Sequence, residues 1–218
     1  MKKLFVLAGL AAFVLLATGC ATRDSDPRWQ DFHDASPGGN IEVQIDSIAA
    51  PNLDLKGKTF VIASGMPVVE EADLEFRLVA QYVENALRKH GATRVEKPED
   101  AELLIRIAYG IGDPQQISAY SYMIGWSVQS VNQTVFTRNL IISGYEAKKL
   151  QPQLWKTTVR STGMSPDLRM VMLYLVAAAE PYLGKSTGGV LEESTGDNDS
   201  RILDIKFGPL LPREKTVK

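Results

Sequence analysis

One cysteine, two histidines and no block of basic residues are what this chain has least of. A lone Cys20 excludes an intramolecular disulfide, so the core must stand on packing even in an oxidising compartment. His33 and His90 lie far apart, and neither belongs to a His/Cys/Asp/Glu cluster of ligand spacing. No metal site, no cofactor site and no Ser–His pair is therefore expected, and the catalytic set reads as none. Lys and Arg number 24 against 26 Asp and Glu. This near balance leaves no electrostatic footprint for nucleic acid. The one long uncharged apolar run, Leu4 to Ala17, would span roughly 21 Å as a helix, short of the roughly 30 Å hydrocarbon core of a bilayer. Gly110-Ile111-Gly112 is not a phosphate loop, because Pro114 follows and no helix opens behind it. Glu70-Glu71, Glu99-Asp100 and Glu192-Glu193 sit in turns or at helix starts and read as solvated carboxylates.

What is present begins at the N-terminus. Lys2 and Lys3 precede the apolar run, and Ala17, Thr18 and Gly19 lead into Cys20, the order of a cleavable secretory signal. Leu16-Ala17-Thr18-Gly19-Cys20 resembles the lipobox of bacterial lipoproteins, with Ala17 where Leu is commoner. That resemblance implies cleavage before Cys20, a diacylglycerol on its sulfur and an acylated new N-terminus. One acyl chain holds a protein only reversibly, whereas several hold it stably. Ala21, which is not Asp, resembles the signal for transfer to the outer membrane.

Residues 20–40, rich in Asp, Ser, Pro and Gly, read as a flexible tether carrying Trp29 and Phe32. Residues 41–184 read as one globular domain, 44% of the whole chain being apolar. Ile41 to Ile48 alternates as a half-buried strand, and Thr59 to Ala63 is a short apolar one. Ala72 to His90 carries an apolar stripe of Leu74, Leu78, Val79, Tyr82, Val83, Ala86 and Leu87. Acids stand at its start, bases at its end and Gly91 at its stop, which predicts a helix. Ala101 to Ile111 is a strand, and Asp113 to Gly125 is expected to be a loop. Ser127 to Phe136, Thr137 to Ala147 and Trp155 to Thr162 are strands joined by short turns, an antiparallel meander. Ser165-Pro166-Asp167 opens a second helix, with Ser165 as its cap. Residues 185–200 read as a linker, and residues 201–218 as a last strand at Ile202 to Phe207 followed by a polar tail. The resulting class is α+β, a mostly antiparallel sheet with two main helices packed on one face.

Lys58-Thr59-Phe60, a helix ending in Gly91, Pro98-Glu99-Asp100-Ala101-Glu102-Leu103-Leu104-Ile105, Leu154-Trp155 and Arg160-Ser161-Thr162-Gly163 occur in that order. In this the chain resembles the bacterial lipoprotein family called domain of unknown function four-one-three-six, over Ile41 to Leu183. The resemblance implies an envelope lipoprotein without an assigned reaction and carries over no catalytic residue.

The function expected is a lipid-anchored protein of the periplasm or outer membrane with a non-catalytic binding or accessory role. Its partners would be the membrane, through Cys20, and an envelope protein. Tyr120, Tyr122 and Trp126, aromatic groups with polar tips, are the candidate partner-binding residues. Two alternatives stay open: a hydrolase of envelope glycan or lipid working through a carboxylate pair, and a carrier of lipid or a small molecule in an apolar cavity.

Overall fold

The computed structural model describes residues 39–124, 126–149 and 152–209. The signal, Cys20, most of the tether with Trp29, Phe32 and His33, and the tail from 210 onward lie outside the described residues.

Eight strands form one sheet in the order β3-β2-β4-β6-β7-β1-β8, with β5 pairing with β6. They are β1 (Asn40–Ala49), β2 (Thr59–Ser64), β3 (Thr93–Arg94), β4 (Leu103–Ile111), β5 (Gln115–Ile124), β6 (Ser127–Glu146), β7 (Gln153–Gly163) and β8 (Leu191–Gly196). The helices are α1 (Leu74–Lys89), α2 (Leu168–Ala179) and α3 (Ser200–Phe207). The class is mixed α and β, and the sheet is mostly antiparallel as expected. The exceptions are the parallel pairings of β2 with β3 and with β4. Both arise because α1 carries the chain from β2 back to the same end of the sheet, which a hairpin cannot do.

The two-residue alternation of the strands decides what is hidden. In β1, Ile41, Val43, Ile45 and Ser47 are buried while Glu42, Gln44, Asp46 and Ile48 are exposed. In β7, Trp155, Thr157, Val159 and Ser161 are buried while Lys156 and Arg160 are exposed. The buried strand residues share one core with Val79, Val83 and Leu87 of α1, Met172, Leu175 and Val176 of α2, and Ile202 and Ile205 of α3. Among the described residues no helix is long and apolar enough to cross a membrane.

α1 starts where Asp73 accepts hydrogen bonds from the backbone N–H of Glu75 and Phe76, filling donors that a helix start leaves open. It stops at His90, and Gly91 follows at φ 81°, a conformation that disfavours any side chain. Leu74, expected on the buried stripe, is exposed, and Phe76 is buried in its place. α2 begins later than expected. Its cap is Asp167, whose carboxylate accepts from Arg169 N, while Ser165 Oγ accepts from Asp167 N one step upstream.

Three expectations are corrected by the structure. The loop expected at Asp113 to Gly125 is largely the strand β5. The two strands expected at Ser127 to Phe136 and Thr137 to Ala147 are one continuous strand, β6. The C-terminal region is exchanged: the expected linker holds β8, antiparallel to β1, and the expected strand at Ile202 to Phe207 is the helix α3. Ile202 and Ile205, three apart, are the residues that α3 buries. Asp199 caps it by accepting from Arg201 N, so the segment satisfies a helix better than a strand.

Candidate functional site

Two places concentrate polar or reactive groups, and they differ in what they can do. The first is a clasp where α1, α2 and α3 meet. His90 Nε2 donates to the Glu180 carbonyl at 2.7 Å and lies 3.1 Å from Glu180 Oε1. Lys89 Nζ reaches Glu180 Oε2 at 3.4 Å and Asp204 Oδ2 at 3.1 Å. Buried Asn85 donates to the Ile205 carbonyl at 2.9 Å, fastening α3 to α1. Beyond α2, Arg201 binds Asp199 at 2.6 Å and Glu193 at 3.4 Å, Tyr182 donates to Glu193, and Tyr174 donates to Asp197. Burial and the Asp197 carboxylate push the Tyr174 phenol up to about 12, so it stays protonated as the donor.

Burial alone would raise the Glu180 carboxyl. The hydrogen bond from His90 and the charge of Lys89 outweigh burial and hold it below the ordinary carboxylate value. Asp199 is held down chiefly by its hydrogen bond to Arg201. A general acid needs the opposite shift, so neither carboxylate is poised to donate a proton near neutrality. A carboxyl lowered on folding stabilises the fold above its unfolded pKa and loses that contribution as pH falls through its folded value. Thermal unfolding followed by circular dichroism should therefore give a level midpoint from neutrality down to about pH 5 and a falling one below about pH 4.5. Glu180→Gln should lower the neutral midpoint and flatten part of that acid slope.

The second place is the ribbon of β5 and the first half of β6. β4 and β7 flank β6 only from Arg138 and Phe136 onward. Among the described residues, Ser127–Val135 of β6 pairs with β5 alone, and β5 pairs with β6 alone. The ribbon therefore extends beyond the sheet with an open backbone edge on each strand. Its cross-strand register pairs Gln116 with Thr134, Ser118 with Asn132 and Ser121 with Ser130, with a bulge between Ser118 and Tyr120. All three pairs are hydrogen-bonded through their side chains, at 2.6, 3.3 and 2.9 Å. Alternating with this polar ladder are Ile117, Tyr120, Tyr122 and Ile124, in register with Gln133, Val131, Gln129 and Ser127. Met123, Trp126 and Val128 are exposed near the tip, Trp126 entirely. No Asp, Glu, Lys, Arg or His occurs between Asp113 and Arg138.

The structure thus brings the three candidate aromatic residues onto one element: Tyr120 and Tyr122 within β5, and Trp126 in the turn that joins it to β6. The Ser/Thr/Asn/Gln ladder facing across the two strands is not among the candidate residues that the sequence singles out. The signal was present as a stretch without charge, in a chain where charged residues make up 23%.

Among the described residues no group of three or more His, Cys, Asp or Glu could hold a metal ion. A concavity of about 600 Å³ is an open groove beside α1, walled by Glu71, Arg77, Gln81, Glu84 and Arg94 together with apolar Leu74, Phe76 and Leu78. Its walls are mixed, charged and apolar, and it is open to solvent rather than enclosed.

Fold and site together define a mixed α/β domain that bears an exposed, charge-free two-stranded arm. Residues 43–179 match the model of the family described as Domain of unknown function (DUF4136), and the chain belongs to that family. No curated protein matches it. A PDZ domain protein from Parabacteroides distasonis is similar at 14% identity and a TM-score of 0.44, over 72% of this chain and 40% of that one. This chain therefore spans well under half of that protein. The PelC dodecamer from Paraburkholderia phytofirmans is similar at 11% identity and a TM-score of 0.37, over 64% of this chain and 96% of that one.

Proposed function

We propose that the protein is a lipid-anchored, non-catalytic component of the bacterial envelope, held to the outer membrane by acyl chains on Cys20. It binds its partner through the β5–β6 ribbon, with Tyr120, Tyr122 and Trp126 among the contact residues. The helices gather on one face of the sheet, which leaves the ribbon unobstructed at the sheet's end. The observation that carries this reading is the ribbon itself. A two-stranded ribbon is marginal in water on its own, and open edges are ready templates for pairing with another chain. Lysines or inward charges, the usual guards of such edges, are missing from it. The expected lipobox at Leu16 to Cys20 supplies the membrane, and the tether between Ala21 and Asn40 supplies reach.

Growing cells with a clickable fatty-acid analogue tests the anchor. The wild-type protein should carry the label and sediment with membranes, while Cys20→Ala should lose both properties. Equal labelling of the two forms, or an intact leader seen by mass spectrometry of the native protein, would overturn the anchored reading.

A further inference from the structure

Resting on the reading of the ribbon as the contact element, we infer that its partner is the same ribbon in further copies of this chain, joined edge to edge into a β-barrel that crosses a lipid bilayer. Length is the first support. β5 has ten residues, roughly 34 Å of extended chain, and a tilted transmembrane strand needs about nine to eleven residues.

The second support is charge. The whole arm from Pro114 to Thr137 carries none, and the first charge on the returning strand, Arg138, is fully buried in the domain. A ribbon kept in water gains solubility from charged residues, whereas one placed in hydrocarbon must avoid them.

The third support is the period. On one side of the ribbon, three pairs of uncharged polar side chains bond to each other across the strands, with Met123 opposite Val128 closing that face at the tip, and its polar length suits a water-filled lumen. The intervening positions of β5 are Ile117, Tyr120, Tyr122 and Ile124, opposite Gln133, Val131, Gln129 and Ser127. These are mainly apolar or aromatic, interrupted by the two glutamines and the serine, and suit the lipid side.

The edges supply the last step. In hydrocarbon every backbone N–H and C=O needs a partner, so a lone ribbon with two open edges is excluded and only a closed barrel satisfies them all. The β5 edge of one copy and the β6 edge of the next are different surfaces. Their contact is head to tail and closes by rotation into a ring. Trp126, Met123 and Val128 at the tip enter the bilayer first.

The test uses vesicles of equal parts phosphatidylethanolamine and phosphatidylglycerol loaded with carboxyfluorescein. Full-length mature protein is added both in its lipidated form and as Cys20→Ala, so that failure of the anchor is separated from failure of the ribbon. Both forms should release dye. Val131→Lys, which places a charge midway along the ribbon and outside the folded core, should reduce release more than roughly tenfold with the unfolding midpoint unchanged. Wild-type protein treated with glutaraldehyde on vesicles should give a ladder of multimers beyond the dimer. Absence of dye release from both forms, release undiminished by Val131→Lys, or a multimer ladder formed without vesicles and without release would each overturn the proposal.

Discussion

Gly144→Ala is expected to destabilise the domain by about 3–5 kcal/mol, a large part of the total stability of a domain this size. Gly144 lies in β6 directly opposite Trp155 of β7. The indole is folded across the glycine, so that an added Cβ would stand 1.9 Å from Trp155 Cζ3 and 2.2 Å from Cε3. Trp155 is buried to 1% exposure in the core under the helices, so the ring has no free volume to retreat into. Accommodating a single methyl therefore means expelling one of the largest core side chains, with a loss comparable to Trp155→Ala itself. Two controls isolate this cause. Gly110→Ala, in the neighbouring strand β4, meets nothing within 4 Å and should change stability by no more than about 1 kcal/mol. Added to Trp155→Ala, Gly144→Ala should have little further effect, because the two residues act as one unit. Urea unfolding followed by fluorescence or circular dichroism reads the four variants beside the wild type. Equal stability of Gly144→Ala and wild type would refute the packing account.

Replacing Asp113–Phe136 by Asn-Gly is expected to leave a folded domain in which the proposed ribbon-to-ribbon assembly is lost entirely. The Gly112 N–H bonds to the Thr137 carbonyl at 2.8 Å, so these residues already form the rung on which a two-residue hairpin turn can close. From Gln115 to Thr134 no described side chain is buried, and the excised segment gives the core mainly Val135. Its loss should remove about 1.5–3 kcal/mol, or on the order of 3–12 °C in midpoint. The native circular dichroism spectrum, less the ribbon's own contribution, should persist. Dye release from vesicles and multimer formation should fall to background. A variant that fails to fold would mean that the ribbon belongs to the core. One that still assembles would place the contact elsewhere on the sheet.

How much of this was legible in the residues varies from segment to segment. α1 was readable because capping, dipole complementarity and a long apolar stripe agree over four turns. β1 and β7 were readable because their alternation is strict. β5 was not: Ser, Gln, Ala, Tyr and a nearby Gly and Pro look like a loop, and its strand character comes from pairing with β6. The break expected within β6 at Phe136 was a change of neighbours, from β5 to β4 and β7, that leaves no mark on the strand's own sequence. α3 was misread because a segment this short, Arg201 to Phe207, supports either period.

The amino-acid sequence by itself determined the mixed class, the start and stop of α1 and the alternation of the long strands. Each of these depends on neighbours within one or two turns of chain. Only the tertiary structure decided that β2 runs parallel to β4, that β8 and α3 exchange the places expected for linker and strand, and that Tyr120, Tyr122 and Trp126 share one two-stranded arm. Those outcomes rest on which strand edge meets which, a choice made by contacts between residues far apart in the chain, whose energies no local pattern records.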